Sequence, residues 1–465
     1  MLALELEQSL KDFIYTQNKN YKDIKNFSML TKEEALNLPK ILLEKKYTFC
    51  DNKTLPPCGT FKRVIRIDFS AAAELHNPLY EKIYTYSVNS IMTFWKNRIT
   101  LTKFGRKYSH NFFSNLSILE KTIPLQNYIR CVNKPIIVFG SGESIDSGIM
   151  QIKQNKDDFF ILATDTALKP LLQNNITPHG VFIEEAQNII LKAFTGTKSD
   201  SFTIFAGLSS ISSLSHNFDH SRISFFTTEY TSSFFIDSLK EKNILPPLNM
   251  PFGSVGLTTF YYALSFRKDD SVPIFTYGLD FCYTKGRTHA KGTMAHQNMI
   301  LQNNRLNSIY NFNSAFSPSA IFDPHTNTYT TPLLQSYASL FVNLFSHSQY
   351  KNVYNSSPLS NNIALPFSKP FVPQTCNSIE LKNYKIDGKK ISQYLENEKN
   401  ELLELKALLT TKTDYSEEEL KEKITKLATT KEYLFLHFPD GHQFLYTQDF
   451  LNRIRIEIDF FLKLF

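Results

Sequence analysis

Only one tryptophan and five cysteines occur among the 465 residues. The cysteines, Cys50, Cys58, Cys131, Cys282 and Cys376, are scattered. They form no Cys-x-x-Cys pair, and no paired histidine spacing accompanies them, so neither a disulfide framework nor a zinc site is indicated. A reducing cytoplasm is the expected compartment. Apolar runs long enough to cross a bilayer are missing. The N-terminal stretch MLALELEQSLKDFIYTQ has early acids and no apolar core, which excludes a secretory signal there. A dense block of one charge is also missing. The net charge of +7 is spread along the chain, which leaves no nucleic-acid footprint. No internal repeat or low-complexity tract is present.

What is abundant is phenylalanine, 40 residues, with 23 tyrosines, in a chain that is 42% apolar. That composition and length predict a globular protein of two or three domains. Residues 1–130 read as an N-terminal mixed α/β region. Helical spacing is expected over Leu2–Phe13 and from Thr31 to Leu43, and KRVIRIDFS reads as a strand. The segment TFWKNRITLTKFGRKYSHNFFSNL reads as a helix packed on the next domain, with Arg98, Arg106 and Lys107 solvated. Residues 364–387 form a proline-bearing linker. Residues 388–465 form a helical domain whose stripes include Ile391, Leu402 and Leu405, and in which Ser416 with Glu419 makes a capping-box pattern.

The centre is residues 131–363, expected to be a Rossmann-like, mostly parallel sheet with helices on both faces. Its key stretch is NKPIIVFGSGESID. A short β-branched run, Pro135–Phe139, meets Gly140-Ser141-Gly142 and then a helix start. In such sheets the glycines let backbone approach a phosphate, and the helix start offers N–H groups to it. The third position of the dinucleotide fingerprint holds Ile145, which argues against a nicotinamide-dependent dehydrogenase. Further strands are expected at Phe159–Ala163, Val181–Ile183, Phe202–Ala206, Ile223–Thr227, Pro273–Tyr277 and Lys351–Asn355. Asp165 follows one of these strands about twenty residues after the glycines, where an acid commonly meets a ribose hydroxyl or caps a helix. Glu184 and Glu185 follow the next. His289 lies in a loop near strand ends, a suitable place for a general base, with His296 and His325 as competitors.

The blocks GSGESID, ATDTALKPLLQNNITPHGVFIEE, FGSVGLTTFYYAL, PIFTYGLDFCYTKGRTHAKG and YNSSPLSNN, in this order, resemble the motility-associated-factor (Maf) flagellin glycosyltransferases. That family has a central domain similar to 6-hydroxymethylpterin diphosphokinase-like proteins and to metal-independent bacterial sialyltransferases. The resemblance implies transfer of a sialic-acid-like nonulosonic acid, pseudaminic or legionaminic acid, from its CMP form to flagellin Ser/Thr, with no cofactor beyond that activated sugar. It implies that Gly140, Ser141 and Gly142 cradle the CMP phosphate, that Asp165 lies near the cytidine or its ribose, and that Gly253-Ser254 sit beside the donor. Asp280 would shape the pocket floor, Asn355-Ser356 would line its far side, and the Thr288-His289 loop would cover the reacting centre. Glu143 departs from the pattern, since proline is usual there. A carboxylate next to a phosphate loop must point away or meet a cation.

In this scheme His289 takes the hydroxyl proton, with His325 second. Backbone N–H groups of Gly140–Gly142, helped by Lys285 or Arg287, steady the leaving phosphate. Thr288 and Glu184 contact substrate, and no metal cluster is expected. Two rival readings stay open. A diphosphokinase would pair Mg²⁺ with Glu184, Glu185 and Asp280, and a non-catalytic nucleotide-binding flagellar assembly factor would need no base.

Overall fold

The computed structural model describes residues 65–66, 68 and 72–465, apart from 198–200, 232–233, 307, 309–318, 347–348, 360–361, 375–377 and 412–413, together with Leu2–Leu4 and Ser28–Leu30. The helix expected from Thr31 lies outside the described residues. At the other expected helix, Leu2–Leu4 is a strand pairing in parallel with Ser28–Leu30, and the remainder lies outside the description. The strand expected in KRVIRIDFS is not found at its described residues Ile65, Arg66 and Asp68, which are irregular. Ile65 is exposed there, and Arg66 bonds Asp68, Asn77 and Glu81.

The main sheet has eight strands: β1 (Ile136–Phe139), β2 (Phe160–Thr164), β3 (Gly180–Ile183), β4 (Thr203–Gly207), β5 (Ile223–Thr228), β6 (Leu248–Asn249), β7 (Ile274–Tyr277) and β8 (Val353–Asn355). Their spatial order is β8-β7-β1-β2-β3-β4-β5-β6, and every pairing in it is parallel. The short edge strand β6 has no signal in the sequence. The seven others fall within a residue or two of the expected runs.

Side chains alternate across a strand, and here both sides are covered. Ile136 and Val138 join one buried cluster with Phe182, Phe205, Phe226 and Phe260. Ile137 and Phe139 join another with Ile149, Ile161 and Tyr277. This is why the strands read as unbroken apolar runs rather than alternating ones. Much of the phenylalanine content stacks here, as in the Phe182–Phe205 pair with centroids 4.8 Å apart. Each buried ring contributes on the order of 1.5–3 kcal/mol.

Helix α1 spans Asn77–Ile118, α2 Ile145–Ile152, α3 Val255–Phe266 and α4 Pro332–Leu344. α2 follows the glycine turn and covers one face, with Ile145, Ile149 and Ile152 buried. α3 belongs to the other cluster and is buried almost all round, as a helix inside a large core must be. Helices α5 (Gly388–Thr410), α6 (Glu417–Thr429) and α7 (Gln448–Phe461) follow.

Contacts group residues 107–400 with 464–465 into one unit, and residues 1–106 with 401–463 into another. In the second unit the expected capping box forms at Ser416 and Glu419. Arg98, expected to be solvated, is instead 8% exposed. Its guanidinium donates to the carbonyls of Leu436 and Phe438 at 2.9 and 2.8 Å, because the chain there leaves two carbonyls that a planar fork can satisfy together.

Candidate active site

Chain order runs β1 to β6 toward one edge, and β7 then returns to the other side of β1. The strand order thus reverses between β1 and β7, the place where open α/β sheets bind ligands. Registry sets Tyr277 beside Phe139, so the residues that follow, Gly140 and Gly278, come together. A Cβ on Gly140 would lie 2.3 Å from the Gly278 oxygen, and one on Gly278 2.3 Å from the Gly140 oxygen. Gly278 also has φ +70°. The N–H of Gly140 donates to Tyr277 O at 2.8 Å and that of Gly142 to Gly278 O at 2.9 Å. These two amides are thus engaged inside the protein. Among the described residues none accepts from the amides of Ser141 or Glu143, so those are the donors the turn offers to an anion.

Asp280, 2% exposed, ties this crossing together. Its carboxylate accepts from Ser144 Oγ at 2.6 Å, from the Ser144 amide at 3.0 Å and from Ser357 Oγ at 2.7 Å. A Cβ on Gly142 would strike its Oδ2 at 2.5 Å. Burial pushes the Asp280 carboxyl up, while the serine hydrogen bonds oppose that shift. Asn355 and Ser356 are buried beside it. Asn355 Oδ1 accepts from the Ser357 amide, and Ser356 Oγ donates to Ser368 O. Asp280, Asn355 and Ser356 are thus engaged inside the protein, with their polar atoms bonded to neighbouring chain. Ser144 and Ser357, which the motif reading passed over, are what hold Asp280 in place.

The loop carrying His289 lies against the glycine turn, with the Ala290 N–H donating to Ser141 O at 3.0 Å. His289 is half-buried, and desolvation lowers its pKa below the ordinary histidine value. Thr288 Oγ1 is 3.3 Å from its Nδ1. Glu143 meets a cation, as its position requires: Arg287 bonds Glu143 Oε1 at 2.6 Å and also pairs with Asp146. Arg287 is therefore held by two carboxylates, whereas Lys285 is exposed. His296, in the helix Met294–Gln302, has a buried Nδ1 with no partner among the described residues. His325 lies in the exposed turn between Ile321–Asp323 and Thr328–Thr330, its amide donating to Asp323 at 2.9 Å.

Farther along the same edge, Asp165 is 5% exposed and accepts from the Thr166 amide and hydroxyl. Burial raises its pKa to about 6, and the charges of Glu185 and Glu184 add to the rise. Glu184 accepts from Thr228 and Thr258 hydroxyls at 2.6 and 2.7 Å. Above these strand ends runs the end of α1. Asn115 donates to Leu208 O and Ser210 O, and Asn111 to Ala186 O and Ser209 O. One helical turn apart, the two amides share a face and satisfy carbonyls of the loops after β3 and β4. Gly253, with φ +72°, turns the chain into α3, and Ser254 is the N-cap residue.

The fold is a Rossmann-like α/β sheet whose strand order reverses between β1 and β7. Residues 107–286 match the family model described as 6-hydroxymethylpterin diphosphokinase MptE-like. An uncharacterized protein of Treponema pallidum (strain Nichols) is 30% identical over 433 residues, which are 87% of this chain and 74% of that protein. The chain belongs to the family of that relative, and its central domain is MptE-like, the domain found in Maf-type proteins. A Maf glycosyltransferase from Magnetospirillum magneticum AMB-1 aligns with TM-score 0.46 at 14% identity, over 97% of this chain and 71% of that one. No helix among the described residues is long and apolar enough to cross a membrane.

Proposed function

We propose that the chain is a glycosyltransferase that moves a nonulosonic acid, pseudaminic or legionaminic acid, from its CMP form to Ser/Thr hydroxyls of flagellin in the cytoplasm. The observation that carries this reading is the Ala290–Ser141 hydrogen bond, which ties the residue after His289 to the glycine turn. The order of sequence blocks supports the donor and acceptor classes. In the proposed step, the acceptor oxygen bonds to the anomeric carbon with inversion, and the bond from that carbon to the CMP phosphate oxygen breaks. CMP leaves with the electron pair through an oxocarbenium-like transition state. His289 receives the hydroxyl proton. The Ser141 and Glu143 amides, with Lys285, face the leaving phosphate. In this reading Asp165 and Glu184 serve the ribose or cytosine, and the reaction is metal-independent.

A diphosphokinase is the second reading, favoured by the family description. Thermal unfolding with CMP, CDP and ATP, each with and without Mg²⁺, separates the two. Stabilisation by CMP without metal agrees with transfer from a CMP-sugar. A response to ATP with Mg²⁺ alone would replace that reading with the kinase. His289→Ala should bind CMP and fail to transfer. Transfer at the unaltered rate would remove His289 as the base.

A further inference from the structure

We infer that Glu143 is a positioning residue that holds His289 beside the glycine turn by gripping the loop from Thr284 to Thr293. The inference rests on the reading of His289 as proton acceptor. Glu143 has a side chain 12% exposed, and both of its oxygens serve that loop. Oε2 accepts from the Thr284 hydroxyl at 2.6 Å and the Thr284 amide at 3.1 Å, and Oε1 accepts from Arg287. Arg287 is gripped a second time by Asp146, from the first turn of α2. Charge-assisted, part-buried bonds of this kind are the strong class.

These contacts fix the backbone on one side of His289, and the Ala290–Ser141 bond fixes it on the other. The loop bends at Gly286 and Gly292, with φ +81° and +80°. Among the described residues no carboxylate bonds the His289 ring, whose recorded partner is its neighbour Thr288. Placement of the ring therefore falls to the loop backbone, and through it to Glu143. A proline at this position could supply none of these acceptors.

Transfer from a CMP-nonulosonic acid to flagellin, measured in the full chain, tests the inference. Glu143→Ala should lower kcat about 100-fold, as a misplacement near 1 Å does, with KM for the donor within about twofold. Glu143→Asp should restore part of the loss. In a double-mutant cycle with His289→Ala, removing Glu143 should cost nothing further. Amide exchange across residues 284–293 should quicken in Glu143→Ala whether or not activity is assayed, and far-UV circular dichroism should show the fold retained. An unchanged kcat, an added loss on top of His289→Ala, or unchanged loop exchange would overturn the role of Glu143. A fast His289→Ala enzyme would overturn the underlying reading as well. A slow His289→Ala with a fast Glu143→Ala would overturn only the role assigned here.

Discussion

Gly140 and Gly278 meet backbone to backbone, each sitting where the other's carbonyl oxygen leaves no room for a Cβ. Gly278→Ala adds that clash to a strained positive φ. It should cost about 2–4 kcal/mol. Urea unfolding will measure this, and a loss below about 0.5 kcal/mol would contradict the crossing.

Arg98 satisfies two carbonyls from a buried position. Arg98→Met should leave the Leu436 carbonyl unpaired, while Phe438 O keeps the Gly441 amide, at roughly 1–3 kcal/mol. Arg98→Lys should recover little, because an ammonium cannot reproduce the fork. Thermal unfolding of the two variants provides the check.

Asp165 resists ionisation, with a pKa near 6 against an ordinary 3.8. A raised folded-state pKa gives stability that is complete below the unfolded value and is lost as pH climbs from about 4 through 6. Asp165→Asn keeps the acceptor for Thr166 and removes the charge. It should therefore stabilise the protein at pH 7.5, by up to ~3 kcal/mol, and do little at pH 4. Unfolding curves at the two pH values decide this.

His289 has the opposite sign, since burial disfavours its protonated form. The acid limb of kcat/KM should lie below the ordinary histidine value and disappear in His289→Ala, whose rate should fall by about 10²–10⁴. A limb at or above pH 7 would point to another group.

How much of this was legible in the sequence varies with the kind of information each feature needs. Strands such as Phe160–Thr164 were visible because a fully buried parallel strand leaves an apolar run. The edge strand Leu248–Asn249 left none, being two residues long with Leu248 exposed. Gly140-Ser141-Gly142 announced a tight turn, but no local pattern says whether glycine amides face a ligand or the protein. That depends on Gly278, which β7 brings alongside. Ser144 and Ser357 went unnoticed for the same reason, since their shared partner Asp280 is distant in sequence from both. Arg98 was misread because its acceptors are main-chain carbonyls, which have no sequence signature.

The crossing of β1 and β7 also dictates when the cleft can come into being. Asp280 has its serine donors from Ser144 and Ser357 only after translation has passed the second of them. A nascent chain ending before β7 holds nothing opposite its glycine turn. Competence to bind at this edge should thus arrive abruptly and late during synthesis, and fragments released early should be inert.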